Sequence, residues 1–278
     1  MEIKLIALDL DGTALRSDNT LSPVVAEAIE EAGGKGIEIV AASGRPYCSM
    51  PESVLALRGV NYVVSSNGAA VHDKTGARIH ETLMKESEVL KLLSLTREHD
   101  LIWEAFLNGA TFTDNRYLND PLKYGCTPAY VSYVKNSRGG LDDMRRYIYD
   151  NRSRLDSVEY VCTDRELRET VRARLEEELS ETYITSSSAN FVEFMHMDAT
   201  KSNALKWLCG QLDISPGSTA ACGNADNDAD MIACAGLKAA VGNASVSCKK
   251  AADLILPTND RDGVAEMIKM IMRNFIKN

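Results

Sequence analysis

The chain has 278 residues, 45% of them apolar, which is enough for one or two globular domains with well-buried cores. Its 40 acidic and 31 basic residues give a formal net charge of -9, and no block of Lys and Arg occurs. Non-specific attraction to nucleic acid or to an anionic membrane surface is therefore not expected.

The seven cysteines are odd in number and form no CxxC pair, so we expect reduced thiols. The chain enters a strand-like run directly after Lys4, without the basic start and apolar core of a signal peptide, and no segment reaches the length of a membrane span. These features predict a cytoplasmic protein. They give no indication of its oligomeric state.

The first predicted strand ends in two carboxylates. A short apolar run, residues 6–8, leads into Asp9 and Asp11, and the alternating directions of strand side chains make this pair project from the same strand end. Gly12 and Thr13 follow and let the backbone turn sharply around a small ligand. The pattern outlines a phosphate and metal site, although a buried strand ending in a charged turn also fits it.

Strands and helices then alternate. Ser22 is a predicted N-cap. A strand is expected over 37–42 and ends at Ser43, Gly44 and Arg45. A helix is expected to follow over 48–57. A third strand, 60–65, ends at Ser66, Asn67, Gly68 and Ala69. This order predicts a parallel sheet built by right-handed crossovers, in which ligands bind beyond the carboxyl ends of the strands.

The pattern changes after a hairpin predicted around residues 73–76. From residue 83 onward, helices alternate with strands in the manner of an α+β unit. Asn108 and Gly109 predict a hairpin turn. Thr163 is predicted to open a helix, because Glu166 lies at capping-box spacing from it. We expect residues 83–195 to form an inserted domain.

The α/β alternation returns after this insertion. A helix is predicted to begin near Thr200 and Lys201, and a strand over 218–222 leads into residues 223–228, Gly-Asn-Ala-Asp-Asn-Asp. Two short strands and an amphipathic helix complete the chain.

Four segments thus converge on one sheet edge: Asp9-x-Asp11-Gly12-Thr13, Ser43-Gly44-Arg45, Lys201, and Gly223-Asn224-x-x-Asn227-Asp228. Together they resemble the haloacid dehalogenase-like phosphohydrolases, and more closely their Cof-type subgroup. The resemblance extends to residues 66–69, 240–244 and 259–264, and it covers 1–82 and 196–278. It implies an α/β fold in which a Rossmann-like parallel-sheet core, discontinuous over those two ranges, carries an inserted α+β cap domain.

The resemblance also implies roles for three catalytic residues. Asp9 would be the nucleophile that forms an aspartyl-phosphate, and Asp11 would protonate the leaving oxygen and then deprotonate the attacking water. Lys201 would place a positive charge between Asp9 and the phosphate. A cation at a helix N-terminus also indicates a nearby anion, since the helix dipole is unfavourable to it there.

The implied binding groups are more numerous. The implied phosphate ligands are the backbone N–H of Leu10, Ser43, Gly44, Arg45, Asn67 and Asn227. For Asn67 and Gly68, a purely structural role in the turn stays open. The cofactor would be Mg²⁺, with Asp9, Asp11 through its carbonyl, Asn224 and Asp228 as ligands.

Residue 224 departs from the family pattern, which has Asp at this position. The amide oxygen of Asn224 can still coordinate a hard cation, but one negative charge is missing, so metal affinity should be lower. Asp226, at a variable position, is a possible compensating charge.

The leading functional hypothesis is a Mg²⁺-dependent phosphatase that hydrolyses a small phosphorylated metabolite, such as a sugar phosphate. Two alternatives stay open: a phosphosugar mutase, and a catalytically weakened protein that binds phosphometabolites. The Asn224 substitution supports the last alternative, whereas Asp9, Asp11 and Lys201 argue against it.

Overall fold

The computed structural model describes residues 2–186 and 190–275, and within them the chain divides into two compact units. The first comprises the chain up to Arg45, then Met50–His80, and the chain from Thr200 onward. The second comprises Pro46–Ser49 and Glu81–Ala199. The insertion expected over 83–195 thus corresponds to a unit that also includes a short piece near residue 48.

The strands fall into two sheets. In chain order they are β1 (Leu5–Asp9), β2 (Glu38–Ala42), β3 (Val60–Ser65), β4 (Ala70–Asp73), β5 (Arg78–Glu81), β6 (Ile102–Leu107), β7 (Ala110–Asp114), β8 (Arg138–Leu141), β9 (Leu155–Val161), β10 (Thr182–Thr185), β11 (Phe191–His196), β12 (Thr219–Gly223), β13 (Leu237–Ala240) and β14 (Leu254–Ile255).

The α-helices of the described residues lie between these strands. They are α1 (Pro23–Gly34), α2 (Glu52–Leu55), α3 (Glu86–Leu95), α4 (Asn115–Asn119), α5 (Val131–Ser137), α6 (Met144–Asp150), α7 (Arg165–Glu178), α8 (Lys201–Gln211), α9 (Ala229–Cys234), α10 (Val246–Ala251) and α11 (Gly263–Phe275).

The sheet of the first unit has the order β14-β13-β12-β1-β2-β3-β4-β5. Neighbouring strands from β14 to β3 are parallel, and β4 runs antiparallel to β3. The central strand β1 is buried along its whole length, because its apolar side chains are covered on both faces. The carboxyl ends of β1, β2, β3 and β12 consequently meet at one edge, as the sequence predicts.

Two helices of this unit, α1 and α8, begin where the sequence predicts. The Ser22 hydroxyl accepts from the Val25 N–H at 3.1 Å, and the Thr200 hydroxyl accepts from the Asn203 N–H at 3.1 Å. The helix expected over 48–57 is wrong in extent, because only Glu52–Leu55 is α-helical. Pro51 lies directly before α2 and cannot donate a backbone hydrogen bond, which limits how far the helix can extend toward residue 48.

The second unit is an α+β arrangement, which together with the parallel core sheet confirms the predicted fold class. Its sheet has the order β10-β11-β9-β6-β7-β8, with antiparallel neighbours except for the parallel pair β7 and β8. The predicted hairpin turn between β6 and β7 is present, and Asn108 and Gly109 have φ values of 52° and 76°.

One predicted cap in this unit is wrong. The N-cap of α7 is Asp164, whose carboxylate accepts from the Leu167 N–H at 3.1 Å, and not Thr163. The residue pair Thr163 and Glu166 fits the capping-box spacing, but Asp164 has the equally suitable side chain one residue closer to the helix.

A row of three glutamates crosses the second sheet and was not foreseen from the sequence. Glu104 lies opposite Glu159, which in turn lies opposite Glu193 on the next strand, and all three are buried. Arg138 Nε donates to Glu104 Oε1 at 3.3 Å. Burial and the hydrogen bond to Glu104 raise the pKa of Glu159 well above its ordinary value, which favours the protonated form of this carboxyl.

Two further sequence expectations concern the chain as a whole. All seven cysteines are free thiols, as expected. Within the described residues, no helix combines the length and apolar composition needed to cross a bilayer.

Candidate active site

A buried cluster of three charged side chains lies at the sheet edge of the first unit. Asp9 is the last residue of β1, Lys201 is the first residue of α8, and Asp228 follows β12. Lys201 Nζ donates to Asp9 Oδ1 at 2.7 Å and to Asp228 Oδ1 at 2.6 Å. The structure thus brings together three residues that are up to 219 positions apart in the sequence.

The cluster contains two carboxylates and one ammonium group in a water-poor environment. Burial and the neighbouring charge of Asp228 raise the pKa of Asp9 to about 7, although Lys201 acts in the opposite direction. Burial alone would lower the pKa of Lys201, but the Asp228 and Asp9 carboxylates reverse this effect and raise it above its usual range. The two carboxylates therefore favour the charged form of Lys201.

Asp228 is held from both sides. Its Oδ1 accepts from Lys201, and its Oδ2 accepts from the backbone N–H groups of Asn224 at 2.9 Å and Ala225 at 3.0 Å. A Cβ at Gly223 would lie 2.6 Å from the Asp228 carboxyl carbon, so glycine is required for this close approach. Asp228 therefore fixes both Lys201 and the loop that carries Asn224.

Asn224 faces the turn that follows β1. The Thr13 hydroxyl donates to Asn224 Oδ1 at 3.1 Å, and a Cβ at Gly12 would lie 2.6 Å from Asn224 Nδ2. Gly12 itself has a φ of 77°. Asp226 points elsewhere, because its exposed carboxylate accepts a hydrogen bond from the Ser247 hydroxyl. The structure gives no support to compensation by Asp226 for the missing charge at residue 224.

Asp11 lies beside the loop that follows β2. Arg45 Nε donates to Asp11 Oδ2 at 2.9 Å, and the Ser43 hydroxyl lies 3.4 Å from the same oxygen. The Ser43 hydroxyl also accepts from the Arg45 N–H at 3.1 Å. The Asp11 side chain is 44% exposed, whereas that of Asp9 is 6% exposed, so the two carboxylates have different environments.

Asn67 and Asn227 contact each other at the end of β3. Asn227 Nδ2 donates to Asn67 Oδ1 at 2.8 Å, and a Cβ at Gly44 would lie 3.0 Å from Asn67 Oδ1. Asn227 Oδ1 is buried and has no hydrogen-bond partner among the described residues. Leu10 is buried and begins the turn Leu10–Ala14. All the residues that the sequence predicts for the site thus lie in segments at this edge of the sheet.

Two asparagines for which the sequence predicts no role hold the turn after β1. Asn243 Nδ2 donates to the Gly12 carbonyl at 2.8 Å, and Asn243 Oδ1 accepts from the Asn259 N–H at 3.1 Å. Asn259 Nδ2 donates to the Leu15 carbonyl at 3.0 Å. Asn243 and Asn259 lie in the segments 240–244 and 259–264, which resemble the family. This resemblance is the signal in the sequence that could have identified them as site residues.

The donor set suits a hard cation. Asp9 Oδ2 is buried without a hydrogen-bond partner among the described residues, and the Asn224 amide oxygen lies near the same turn. Carboxylate, amide and carbonyl oxygens are the ligands that Mg²⁺ takes in proteins. No group of three His, Cys, Asp or Glu side chains suited to a metal occurs in the described parts of the chain.

Comparison with known proteins places these residues in a family context. The family model described as haloacid dehalogenase-like hydrolase matches residues 6–268. The phosphatase YwpJ of Bacillus subtilis (strain 168) is 30% identical over 287 residues, with 97% of this chain and 100% of the relative covered. A second relative from that strain, the 5-amino-6-(5-phospho-D-ribitylamino)uracil phosphatase YcsE, is 28% identical, with 97% and 96% covered.

Solved structures give the same result for the fold. A haloacid dehalogenase-like hydrolase from B. subtilis superposes with a TM-score of 0.81 at 29% identity, covering 96% of this chain and 99% of the other. Another from Bacteroides thetaiotaomicron has a TM-score of 0.82 at 26% identity, with 97% and 100% covered.

Proposed function

The chain belongs to the haloacid dehalogenase-like hydrolases and is a phosphatase, and from this premise we propose that it is a Mg²⁺-dependent enzyme that hydrolyses a small phosphomonoester through an aspartyl-phosphate on Asp9. The observation that carries the proposal is the buried Asp9–Lys201–Asp228 cluster, in which one oxygen of Asp9 is free of hydrogen bonds within the described chain.

Asp9 is the nucleophile in this proposal. Lys201 holds one carboxylate oxygen at 2.7 Å and orients the side chain, so the other oxygen is available to attack phosphorus. The new bond joins this oxygen to phosphorus while the bond to the substrate's alkoxide oxygen breaks. Water then attacks the aspartyl-phosphate, which releases phosphate and regenerates the carboxylate.

Asp11 is the proton shuttle. It is more exposed than Asp9 and lies two residues further along the same turn, so it can give a proton to the departing alkoxide and later take one from the attacking water. In the structure its carboxylate is paired with Arg45. A phosphate bound by Arg45 would compete with this ion pair and release Asp11 for proton transfer.

The phosphate oxygens would be held by neutral donors and by Lys201. The Ser43 hydroxyl, the backbone N–H groups of Leu10 and Gly44, and the Asn227 amide supply neutral donors. Such donors stabilise the charge on the equatorial oxygens during transfer, and they add no repulsion among the residues themselves.

The groups proposed to hold Mg²⁺ are the Asp9 carboxylate, the Asp11 carbonyl and the Asn224 amide oxygen. Asp228, which the sequence predicts as a further ligand, is instead proposed to anchor the loop of Asn224, because both of its carboxylate oxygens already accept hydrogen bonds. When bound, the ion would neutralise negative charge on Asp9 and on the phosphate. Asn224 in place of an acid predicts weaker binding of the ion than a carboxylate would give.

A small phosphorylated metabolite is the proposed substrate class, and a cytoplasmic location is proposed with it. YcsE, which is similar over nearly the whole chain, is named for a phosphorylated ribitylaminouracil. The seven free thiols agree with a reducing compartment.

The test is turnover of a chromogenic aryl phosphate with and without Mg²⁺. We expect the wild type to release phosphate only with Mg²⁺, Asp9→Asn to be inactive, and Asn224→Asp to bind Mg²⁺ about tenfold more tightly or better in a calorimetric titration. Asp230→Asn, which removes an exposed acid on α9, is the matched control and should behave as wild type.

Two outcomes would replace the proposal. If the wild type and Asp9→Asn were equally inactive on a panel of phosphometabolites while both bound one of them, the protein would be a binding protein. If phosphate were transferred to a second sugar with little release, it would be a mutase.

A further inference from the structure

A turn of three left-handed residues follows β3. Ser66, Asn67 and Gly68 have φ values of 48°, 56° and 107°. Residues with a side chain rarely adopt positive φ, and two of them in succession are costly. Such a conformation persists only where the surrounding structure determines it, so we asked what the turn Ser66–Gly68 contacts.

Its backbone N–H groups bind the loop that follows β2. The Ser66 N–H donates to the Arg45 carbonyl at 2.9 Å, and the Asn67 N–H donates to the Ser43 carbonyl at 3.1 Å. Ser43 and Arg45 are the residues beside Asp11. The left-handed turn therefore fixes both ends of residues 43–45 from one side.

Its glycine packs against the start of α8. A Cβ at Gly68 would overlap the Thr200 carbonyl and would lie 2.9 Å from the Lys201 backbone nitrogen. Thr200 is the N-cap of the helix that begins with Lys201. The absence of a side chain at residue 68 thus sets the distance between the turn and the backbone of Lys201.

Its asparagine side chain holds a third segment. Asn67 Oδ1 accepts from Asn227 Nδ2 at 2.8 Å, and Asn67 is 8% exposed. The sequence predicts Asn67 as a phosphate ligand, and in the structure its Oδ1 holds the Asn227 side chain. Asn227 Oδ1, in contrast, is buried without a partner among the described residues.

We infer that the turn Ser66–Gly68 is a positioning element for phosphoryl transfer: it holds residues 43–45, the backbone of Lys201 and the Asn227 side chain in register with Asp9. In this inference Asn67 acts through Asn227. This inference rests on the proposed function, because it assigns the turn to the same reaction. The turn keeps its unfavourable positive φ values because it contacts three separate segments of the site.

The first test compares two glycines that both have positive φ. Gly68→Ala and Gly36→Ala both place an alanine at positive φ, 107° and 84°, but a Cβ at Gly36 meets no atom within 4 Å. We expect both variants to lose thermal stability. Only Gly68→Ala should lose kcat, by about a hundredfold, because displacement of Lys201 by a fraction of an ångström misaligns the reacting groups.

The second test does not depend on Gly68→Ala folding. Asn67→Gly accepts the φ of 56° without strain, so the variant should fold with the turn conformation kept, although loss of the hydrogen bond to Asn227 costs some stability. We expect kcat with an aryl phosphate to fall about tenfold with KM unchanged. Asn67→Asp, which keeps an acceptor for Asn227 Nδ2, should retain more of kcat than Asn67→Gly.

A double-mutant cycle separates positioning from direct binding. If Asn67 acts through Asn227, Asn67→Gly should have no further effect on kcat in an Asn227→Ala background. Additive losses, or a rise in KM with Asn67→Gly, would overturn the inference, as would full kcat in folded Gly68→Ala. An inactive wild type would instead contradict the proposed function, and with it the reaction that the turn serves.

Discussion

Lys201 is the residue on which the charge balance of the buried site depends. Its ammonium group is the cation bonded to both Asp9 and Asp228, and its side chain is 1% exposed. Removing it leaves two buried carboxylates without compensation. We expect Lys201→Met to destabilise the protein by about 3–5 kcal/mol in urea unfolding and to abolish turnover.

A double variant distinguishes electrostatics from lost packing. Lys201→Met with Asp228→Asn removes one carboxylate together with the cation, so much of the lost stability should return while activity stays absent. Equal stability of Lys201→Met and wild type would contradict this account of the cluster.

Glu159 gives a prediction about pH. Burial, together with the hydrogen bond to Glu104, raises its pKa in the folded chain, so the native state binds this proton more tightly than the unfolded state does. Its contribution to stability therefore falls as the pH rises above the unfolded pKa of about 4.3. Glu159→Gln keeps a donor toward Glu104 but has no proton to lose.

We expect the melting temperature of Glu159→Gln, relative to wild type, to increase between about pH 5 and about pH 8. Glu177→Gln, an exposed position on α7, is the control and should show no such trend. A difference between Glu159→Gln and wild type that is the same at both pH values would show that Glu159 is not protonated in the native state.

At the scale of single elements, the start of α7 separates the sequence prediction from the structure. The sequence predicts Thr163 as the cap, whereas Asp164 accepts the hydrogen bond from Leu167. Asp164→Ala should cost about 1 kcal/mol of stability and Thr163→Ala close to none, as measured by chemical denaturation. A larger loss of stability in Thr163→Ala than in Asp164→Ala would instead support Thr163 as the cap.

Other elements show which signals are reliable. The apolar runs of β1 and β3 and the N-cap at Ser22 appear where the sequence predicts them, because buried parallel strands and caps are determined by local residue types. The extent of α2 and the cap of α7 were not predicted correctly, because Pro51 limits α2 and because two suitable cap residues are adjacent at α7.

For the molecule as a whole, the sequence predicted which segments meet but not how their side chains pair. The order of strands implied that Asp9, Ser43 and Asn224 would share one edge. It did not indicate that Lys201 would bridge Asp9 and Asp228, or that Arg45 would pair with Asp11, since both contacts depend on side-chain directions at long sequence separation.

The glutamate row of the second unit was missed for a related reason. Glu104, Glu159 and Glu193 lie within apolar strands, but only the register of β6, β9 and β11 shows that they are neighbours. A charged residue inside an apolar run is visible in the sequence. Its partners are not, because pairing between strands distant in the chain is set by the fold as a whole.

The central claim is that phosphate passes through a covalent bond to Asp9, and trapping that bond tests it most directly. Wild-type enzyme turning over a ³²P-labelled aryl phosphate with Mg²⁺ would be quenched in acid and the labelled peptide identified. We predict label on the peptide that contains Asp9 and none in Asp9→Asn. Release of labelled phosphate by wild type at a normal rate, with no labelled peptide at any quench time, would contradict the account.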